Sequence, residues 1–242
     1  MWGIYNDFMK QDSRFSVLSS NILKIIAMVS MTIDHSGLLL FGNRYWMRAV
    51  GRLAFPIYAF LISEGCSYTK NRNNYFLRLF ILGCICQFFA FFVGKEALLN
   101  ILLTFSASVI LIYLADAYSD DGKVIWVILF SLVVLTVTIG DTCNIMIGGS
   151  RVSFDYGLPG VLVPLVCYKT KNTRFFYPAF IVILLILAYS MSGIQLYSLF
   201  AIPVIYMYNG KRGEHNLKNF FYLYYPIHLA LIYAIQMIIP AE

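Results

Sequence analysis

Charge is scarce in this sequence. Asp, Glu, Lys and Arg together make up 12% of the 242 residues, where soluble domains carry about a quarter, and this excludes a globule with an ordinary charged, water-facing surface. Cysteine pairing is missing too. Cys66, Cys84, Cys86, Cys143 and Cys167 form no CxxC and have no His at ligand spacing, so no metal site is expected and the thiols read as small buried hydrophobes. The first apolar run carries Lys24, Asp34 and His35 with no small-residue cleavage site after it, unlike a cleaved signal peptide. No linker of low complexity and no internal repeat divides the chain. The net charge of +6 lies in short Lys and Arg clusters between apolar runs, a membrane-topology pattern that argues against a nucleic-acid partner.

Apolar and aromatic residues are abundant: 60% hydrophobic, with 20 Phe and 18 Tyr, the composition of a multi-pass membrane chain with many interfacial ends. A crossing needs roughly 20 mostly apolar residues. Runs of that kind near 18–41, 51–68, 75–94, 98–115, 124–140, 155–168, 175–192, 194–208 and 218–239 predict an all-α polytopic protein with about nine transmembrane helices in one bundle. The fifth, sixth and eighth runs are short enough to be tilted, re-entrant or buried. Residues 1–17 read as an interfacial or flexible segment and 18–242 as a single transmembrane domain. With a cytoplasmic N-terminus, twelve loop cations fall inside and five outside, namely Arg44, Arg48, Arg52, Lys95 and Arg151. That bias favours N-terminus in and, for nine helices, C-terminus out.

Charged side chains at membrane depth are costly and are functional candidates by default. In the first run Lys24 and His35 are eleven residues apart, so both project from one helical face with Met28 and Met31 between them, separated by about 16 Å at ~1.5 Å per residue. The plainer alternatives are a snorkelling lysine and a neutral histidine bridging two helices. Asp34 points about 100° away from His35, so it is expected to meet a partner on another helix. Arg52, at the outer end of the second run, is the natural choice for an Asp34–Arg52 ion pair, unless it is an ordinary interfacial arginine. Glu64 reads as a hydrated boundary residue. Asn100 and Asp155-Tyr156-Gly157 open helices four and six, where caps are the plain reading, and Pro159 suits a first turn. In the last run His228 follows Tyr224 by four residues and Tyr225 by three, so a Tyr–His hydrogen bond on one face is expected, with Pro226 able to kink the helix. Asp34, His35, Arg52, Asn100 and Tyr156 in the outer half, His228 at the centre and Lys24 at the inner mouth suggest a polar path between the two faces.

The motifs ILKIIAMVSMTIDHSG, GRLAFPIYAFLISEG, LNILLTFS, DYGLPGVL and NFFYLYYPIHLALI resemble, in order and spacing, the TraX family of integral membrane acetyltransferases, whose namesake N-acetylates a pilin subunit. The resemblance runs from about residue 20 to 235. The Lys-x(10)-His pattern is also similar to the Arg-x(10)-His of the type-3 membrane acyltransferases, with Lys24 in place of Arg, a point charge rather than a bidentate phosphate ligand. The resemblance implies a cytoplasmic-membrane enzyme that takes an acetyl group from cytoplasmic acetyl-CoA to an acceptor at the outer face. That acceptor would be the N-terminal amine of a pilin-like or secreted peptide, or the hydroxyl of an envelope glycan or lipid. It implies phosphates near Lys24, His35 as general base or acylated intermediate, and an oxyanion held by Arg52, Asn100 or Tyr156. Asp34 and His228 complete the candidate catalytic set, and Lys24, Asn100, Asp155, Tyr156 and Tyr224 are candidates for binding substrate. A proton-coupled transporter or flippase is the rival of another class.

Overall fold

The computed structural model describes residues 16–94, 99–143, 146–147, 150–214 and 217–238. The expected interfacial segment falls almost wholly outside them, as does Lys95. The described chain is helical apart from one small hairpin, and Backbone contacts divide it into two compact units, Met1–Leu61 with Thr170–Glu242, and Ile62–Lys169.

The first unit opens with α1, Ser20–Leu39. Ser19 caps it, its Oγ accepting from Ile22 N. The Ser20 and Asn21 N–H groups donate to the Lys211 and Arg212 carbonyls at 2.8 and 3.1 Å, so the orphan donors of the first turn are closed by the protein itself. Next come α2, Tyr45–Gly51, and α3, Ala54–Tyr68. The second apolar run was expected to begin at Gly51 with Arg52 at its outer end. Instead Tyr45–Tyr68 forms one 24-residue apolar stretch, largely buried and broken at Arg52 and Leu53. Arg52 is therefore an interior residue, only 7% exposed. Broken backbone at membrane depth is tolerated where protein surrounds it. Two glycines let α1 and α2 approach: a Cβ on Gly37 would overlap Met47, and one on Gly51 would overlap the side chain of Asp34. The unit is completed by α8, Phe176–Ser190, a 3-10 helix over Gly193–Phe200, α9, Ala201–Tyr206, and α10, Lys218–Ile238.

The second unit contains α4, Arg72–Gly94, α5, Ile101–Asp121, and α6, Val124–Thr142. After α6 an antiparallel pair, β1, Met146–Ile147, with β2, Ser150–Arg151, leads to α7, Gly157–Thr170. Ala107, Leu111, Val137 and Val161 form its buried apolar centre. At one end Asp116 accepts from Arg72 Nη2 (2.8 Å), Tyr168 Oη (2.7 Å) and Lys169 Nζ (3.0 Å), tying α4, α5 and α7 together. Glu64 is buried at 6% exposure, contrary to the hydrated position expected of it. On the largely exposed α6, Thr136, Thr138 and Thr142 each donate to the carbonyl four residues earlier. That is how a hydroxyl is satisfied on a helix open to lipid.

Among the described residues six helices are long and apolar enough to cross a membrane: Ser20–Leu39, Tyr45–Tyr68, Arg72–Phe92, Ile101–Asp121, Val124–Thr142 and Phe220–Ile238. The fifth expected run reaches full length, whereas those near 155–168, 175–192 and 194–208 give shorter elements. The packing of α1 against α10 adds a constraint. Lys24 lies over Phe221, Thr32 meets Tyr224 and His35 meets His228. Contacts advance together along both helices, so the two run parallel.

Two parallel neighbours that both cross a bilayer enter it from the same side, which requires an odd number of crossings from Ser20 to Ile238. Reporters fused ahead of Ser20 and beyond Ile238 are thus expected on opposite faces, and matching signals from both would refute the parallel pairing. Gly51→Ala is expected to lower stability by about 1–3 kcal/mol through overpacking against Asp34. Gly193→Ala, where nothing lies within 4 Å of the added Cβ, serves as the neutral control in the same thermal-unfolding comparison.

Candidate functional site

Asp34 and His35 leave α1 in different directions and enter two separate networks. The Asp34 carboxylate is held at both oxygens: Oδ2 by Arg48 Nη1 at 2.6 Å and Oδ1 by Arg52 Nη2 at 2.8 Å. The expected Asp34–Arg52 pair is therefore formed, and Arg48, which the sequence presents only as one more outer cation, is its second half. Arg48 and Arg52 are four residues apart and lie one turn apart along the chain, where like charges repel; the shared carboxylate offsets this. Arg52 uses all three of its nitrogens, since Nε donates to the Arg48 carbonyl (3.2 Å) and Nη1 to Gln195 Oε1 (3.1 Å) as well. Gln195, 1% exposed on the 3-10 helix, gave no signal in the sequence.

His35 faces α10. Its Nδ1 lies 3.0 Å from His228 Nε2, and His228 Nδ1 lies 3.0 Å from the Tyr224 carbonyl oxygen. The two rings are 18° from parallel with centroids 5.2 Å apart. This separation is the N···N distance plus the two ring radii, so the rings meet edge to edge in a hydrogen bond instead of face to face. The protons follow from the partners. A carbonyl oxygen only accepts, so His228 Nδ1 carries hydrogen. In a neutral ring its Nε2 must then accept, so His35 Nδ1 donates. The lone pair of His35 is thereby left on Nε2. Arg48 and Arg52 are both within electrostatic range of this ring.

The expected Tyr224–His228 side-chain hydrogen bond does not form. The Tyr224 ring stacks on His228, with centroids 5.0 Å apart and planes 8° apart, while Tyr225 meets it edge-on. The Tyr224 hydroxyl crosses to α1 instead, where it pairs with Thr32 Oγ1 and donates to the Met28 carbonyl at 3.3 Å. The reason is geometric: two rings stacked in parallel keep the hydroxyl in its own plane, out of reach of the imidazole nitrogens. Lys24 is half-buried, its Nζ 4.9 Å from the centre of the Phe221 ring. Arg212 interacts with it electrostatically, and the exposed Lys211 adjoins Arg212.

Asn100, Asp155 and Tyr156 belong to the second unit and serve its backbone. Asn100 caps α5 through Oδ1 and Leu102 N (3.0 Å), and its Nδ2 donates to the Gly83 carbonyl (2.8 Å) and to Gln87 Oε1 (3.1 Å). The start of α7 is capped by Asp141, not by Asp155 as expected: Asp141 Oδ2 accepts from Leu158 N at 2.8 Å, and its Oδ1 from Phe154 N at 3.1 Å. Asp155 contributes its backbone, its N–H donating to the Leu99 carbonyl (3.0 Å) and its C=O accepting from Thr104 Oγ1 (3.0 Å). Tyr156 and Gly157 adopt φ of 62° and 57°, a left-handed pair natural for glycine and unusual for tyrosine. Among the described residues no group of His, Cys, Asp and Glu could hold a metal ion.

Comparison with known proteins gives the same family as the sequence motifs. The family model described as TraX protein matches residues 19–236. The chain is 26% identical over 246 aligned residues to the probable fimbrial assembly protein FimC, serogroup H1, of Dichelobacter nodosus, covering 89% of this chain and 94% of that one. It is 34% identical over 99 residues to the uncharacterized protein RP591 of Rickettsia prowazekii (strain Madrid E), a match spanning 40% of this chain and 35% of the other. No solved structure matches. With nearly its whole length matched, the chain belongs to the TraX protein family.

Proposed function

We propose that the protein is an acetyltransferase of the cytoplasmic membrane that moves an acetyl group from acetyl-CoA to the amine of a pilin-like peptide at the outer face. The observation that carries this reading is the pair of 3.0 Å contacts linking the Tyr224 carbonyl, His228 and His35, which for neutral rings leaves the lone pair on His35 Nε2. A histidine oriented in this way by a second group is the arrangement general-base chemistry uses. His228 is the positioning residue, taking the place that a carboxylate holds in the better-known triads. The relative named for fimbrial assembly favours a pilin-like acceptor over an envelope glycan.

In this mechanism the phosphates of acetyl-CoA lie near Lys24, Lys211 and Arg212. Lys24 and His35 are about 16 Å apart along α1 at ~1.5 Å per residue, a span that an extended pantetheine arm covers. The acceptor amine attacks the thioester carbonyl carbon while His35 Nε2 takes its proton. The carbonyl π pair moves onto oxygen. As the carbonyl re-forms, the C–S bond breaks, its electron pair goes to sulfur, and the imidazolium returns the proton to the departing thiolate. Attack by His35 Nε2 itself uses the same lone pair: the C–S bond breaks with its electron pair going to sulfur, and the product is an Nε2-acetylimidazolium that keeps its Nδ1 proton until the acceptor amine takes the acetyl group.

Purified protein given radiolabelled acetyl-CoA and a peptide bearing a free N-terminal amine should transfer label to the peptide. His35→Ala should lower turnover by roughly 10²–10⁴, the usual contribution of a positioned acid–base group, without unfolding. His228→Ala should lose less, and His228→Gln, whose amide oxygen can still accept from His35 Nδ1, should recover part of the loss. A folded wild-type protein that neither transfers label nor cleaves the thioester would remove acetyl transfer and favour a transporter. Lys24→Ala should weaken acetyl-CoA binding measured by calorimetry, and Lys24→Arg should retain it; unchanged binding in Lys24→Ala would leave Lys24 as a snorkelling residue.

A further inference from the structure

Around Asp34 the guanidiniums of Arg48 and Arg52 share one carboxylate. Both lie within electrostatic range of the His35 ring. A guanidinium edge that its carboxylate partner leaves open is a ready donor pair for an oxygen anion.

The two arginines differ in what they have left to give. Arg52 has engaged Nε, Nη1 and Nη2 and its side chain is 8% exposed. Among the described residues Arg48 bonds through Nη1 alone, to Asp34 Oδ2 and the Asp34 carbonyl, and its side chain is 21% exposed. Its Nε–H and Nη2 hydrogens form one edge of a planar fork suited to oxygen anions. Its Nη1 bond to Asp34 fixes the plane of the guanidinium, so that this edge is oriented before any ligand arrives.

We propose that Arg48 is an anion-binding residue of this site, and that its free Nε/Nη2 edge receives an oxygen-borne negative charge during the reaction. The proposal rests on the acetyl-transfer reading for one of its two sources. The charge is either the oxyanion that forms on the acetyl carbonyl when the amine bonds to carbon, or a permanent carboxylate carried by the acceptor. Both present the same chemistry to the guanidinium, but an oxyanion is bound only in the transition state whereas a carboxylate is bound in the ground state.

The test compares wild type, Arg48→Gln and Arg48→Lys in detergent. One measurement is acetyl-transfer kinetics with varied peptide. The other is thermal unfolding with sodium formate titrated at constant ionic strength. Arg48→Lys keeps a cation for Asp34 but lacks the fork, so it remains informative if Arg48→Gln does not fold. If an oxyanion is bound, both variants lose roughly 10²–10³ in kcat with peptide KM nearly unchanged, and added guanidinium partly restores Arg48→Gln. If a carboxylate is bound, peptide KM rises and formate raises the melting temperature of wild type but of neither variant. Unchanged kcat, KM and formate response in both variants overturn the proposal. Should wild type show no acetyl transfer, the enzymatic reading fails by itself, and the formate response then decides the anion site: a wild-type shift lost in the variants supports it, and no shift overturns it.

Discussion

One carboxylate between two guanidiniums sets the geometry of the first unit. A charge buried among apolar helices is tolerated only when paired and hydrogen-bonded, and Asp34 meets that demand from its side of α1 with Arg48 and Arg52. Both arginines must then approach α1 closely. This accounts for Gly51, where any side chain would collide with Asp34, and for Gly37, where it would collide with Met47. It also accounts for the break at Arg52 and Leu53, and for the buried Gln195 on the 3-10 helix, whose Oε1 occupies a further donor of Arg52. Removing Asp34 is expected to cost about 3–5 kcal/mol, because it takes the shared carboxylate from two guanidiniums, one of them deeply buried.

Since Asp34 faces α2, the residue after it faces elsewhere. The turn of about 100° between neighbours on a helix directs His35 to α10, into surroundings of imidazole, ring stacking and backbone carbonyl. Two kinds of polar group thus share α1 without competing: fixed charge on one side, and a chain of neutral proton donors and acceptors on the other. The parallel run of α10 beside α1 then spaces Phe221, Tyr224 and His228 against Lys24, Thr32 and His35, so a lysine and a histidine lie along one seam about three turns apart.

The second unit uses its polar side chains differently. Asn100, Gln87, Asp141 and Thr104 close the backbone where helices begin, and Ser108 donates to its own helix and across to the Val161 carbonyl on α7 at 2.8 Å. In lipid every open N–H or C=O is expensive, and these residues answer that need. Outward-facing threonines on α6 turn back on their own helix for the same reason.

Composition and periodicity by themselves determined that the chain is helical and apolar enough to cross a membrane repeatedly. The motifs identified the family, and the eleven-residue interval placed Lys24 and His35 on one face of α1. The Asp34–Arg52 pair was also legible, because an acid 100° from a histidine needs a partner on another helix and few cations were near. Arg48 had the same i, i+4 relation to Arg52 but sat before the presumed start of that helix, where an outer-loop cation looks no different. Gln195 is a neutral side chain on a short irregular helix, with no periodic pattern to mark it. The Tyr224 hydroxyl and the cap at α7 were misassigned for a common reason: a side chain's hydrogen-bond partner is chosen by whichever acceptor packing brings within about 3 Å, and sequence neighbours are only some of the competitors. Only the tertiary structure placed His228 Nε2 against His35 Nδ1, and with it decided which nitrogen of His35 keeps the lone pair.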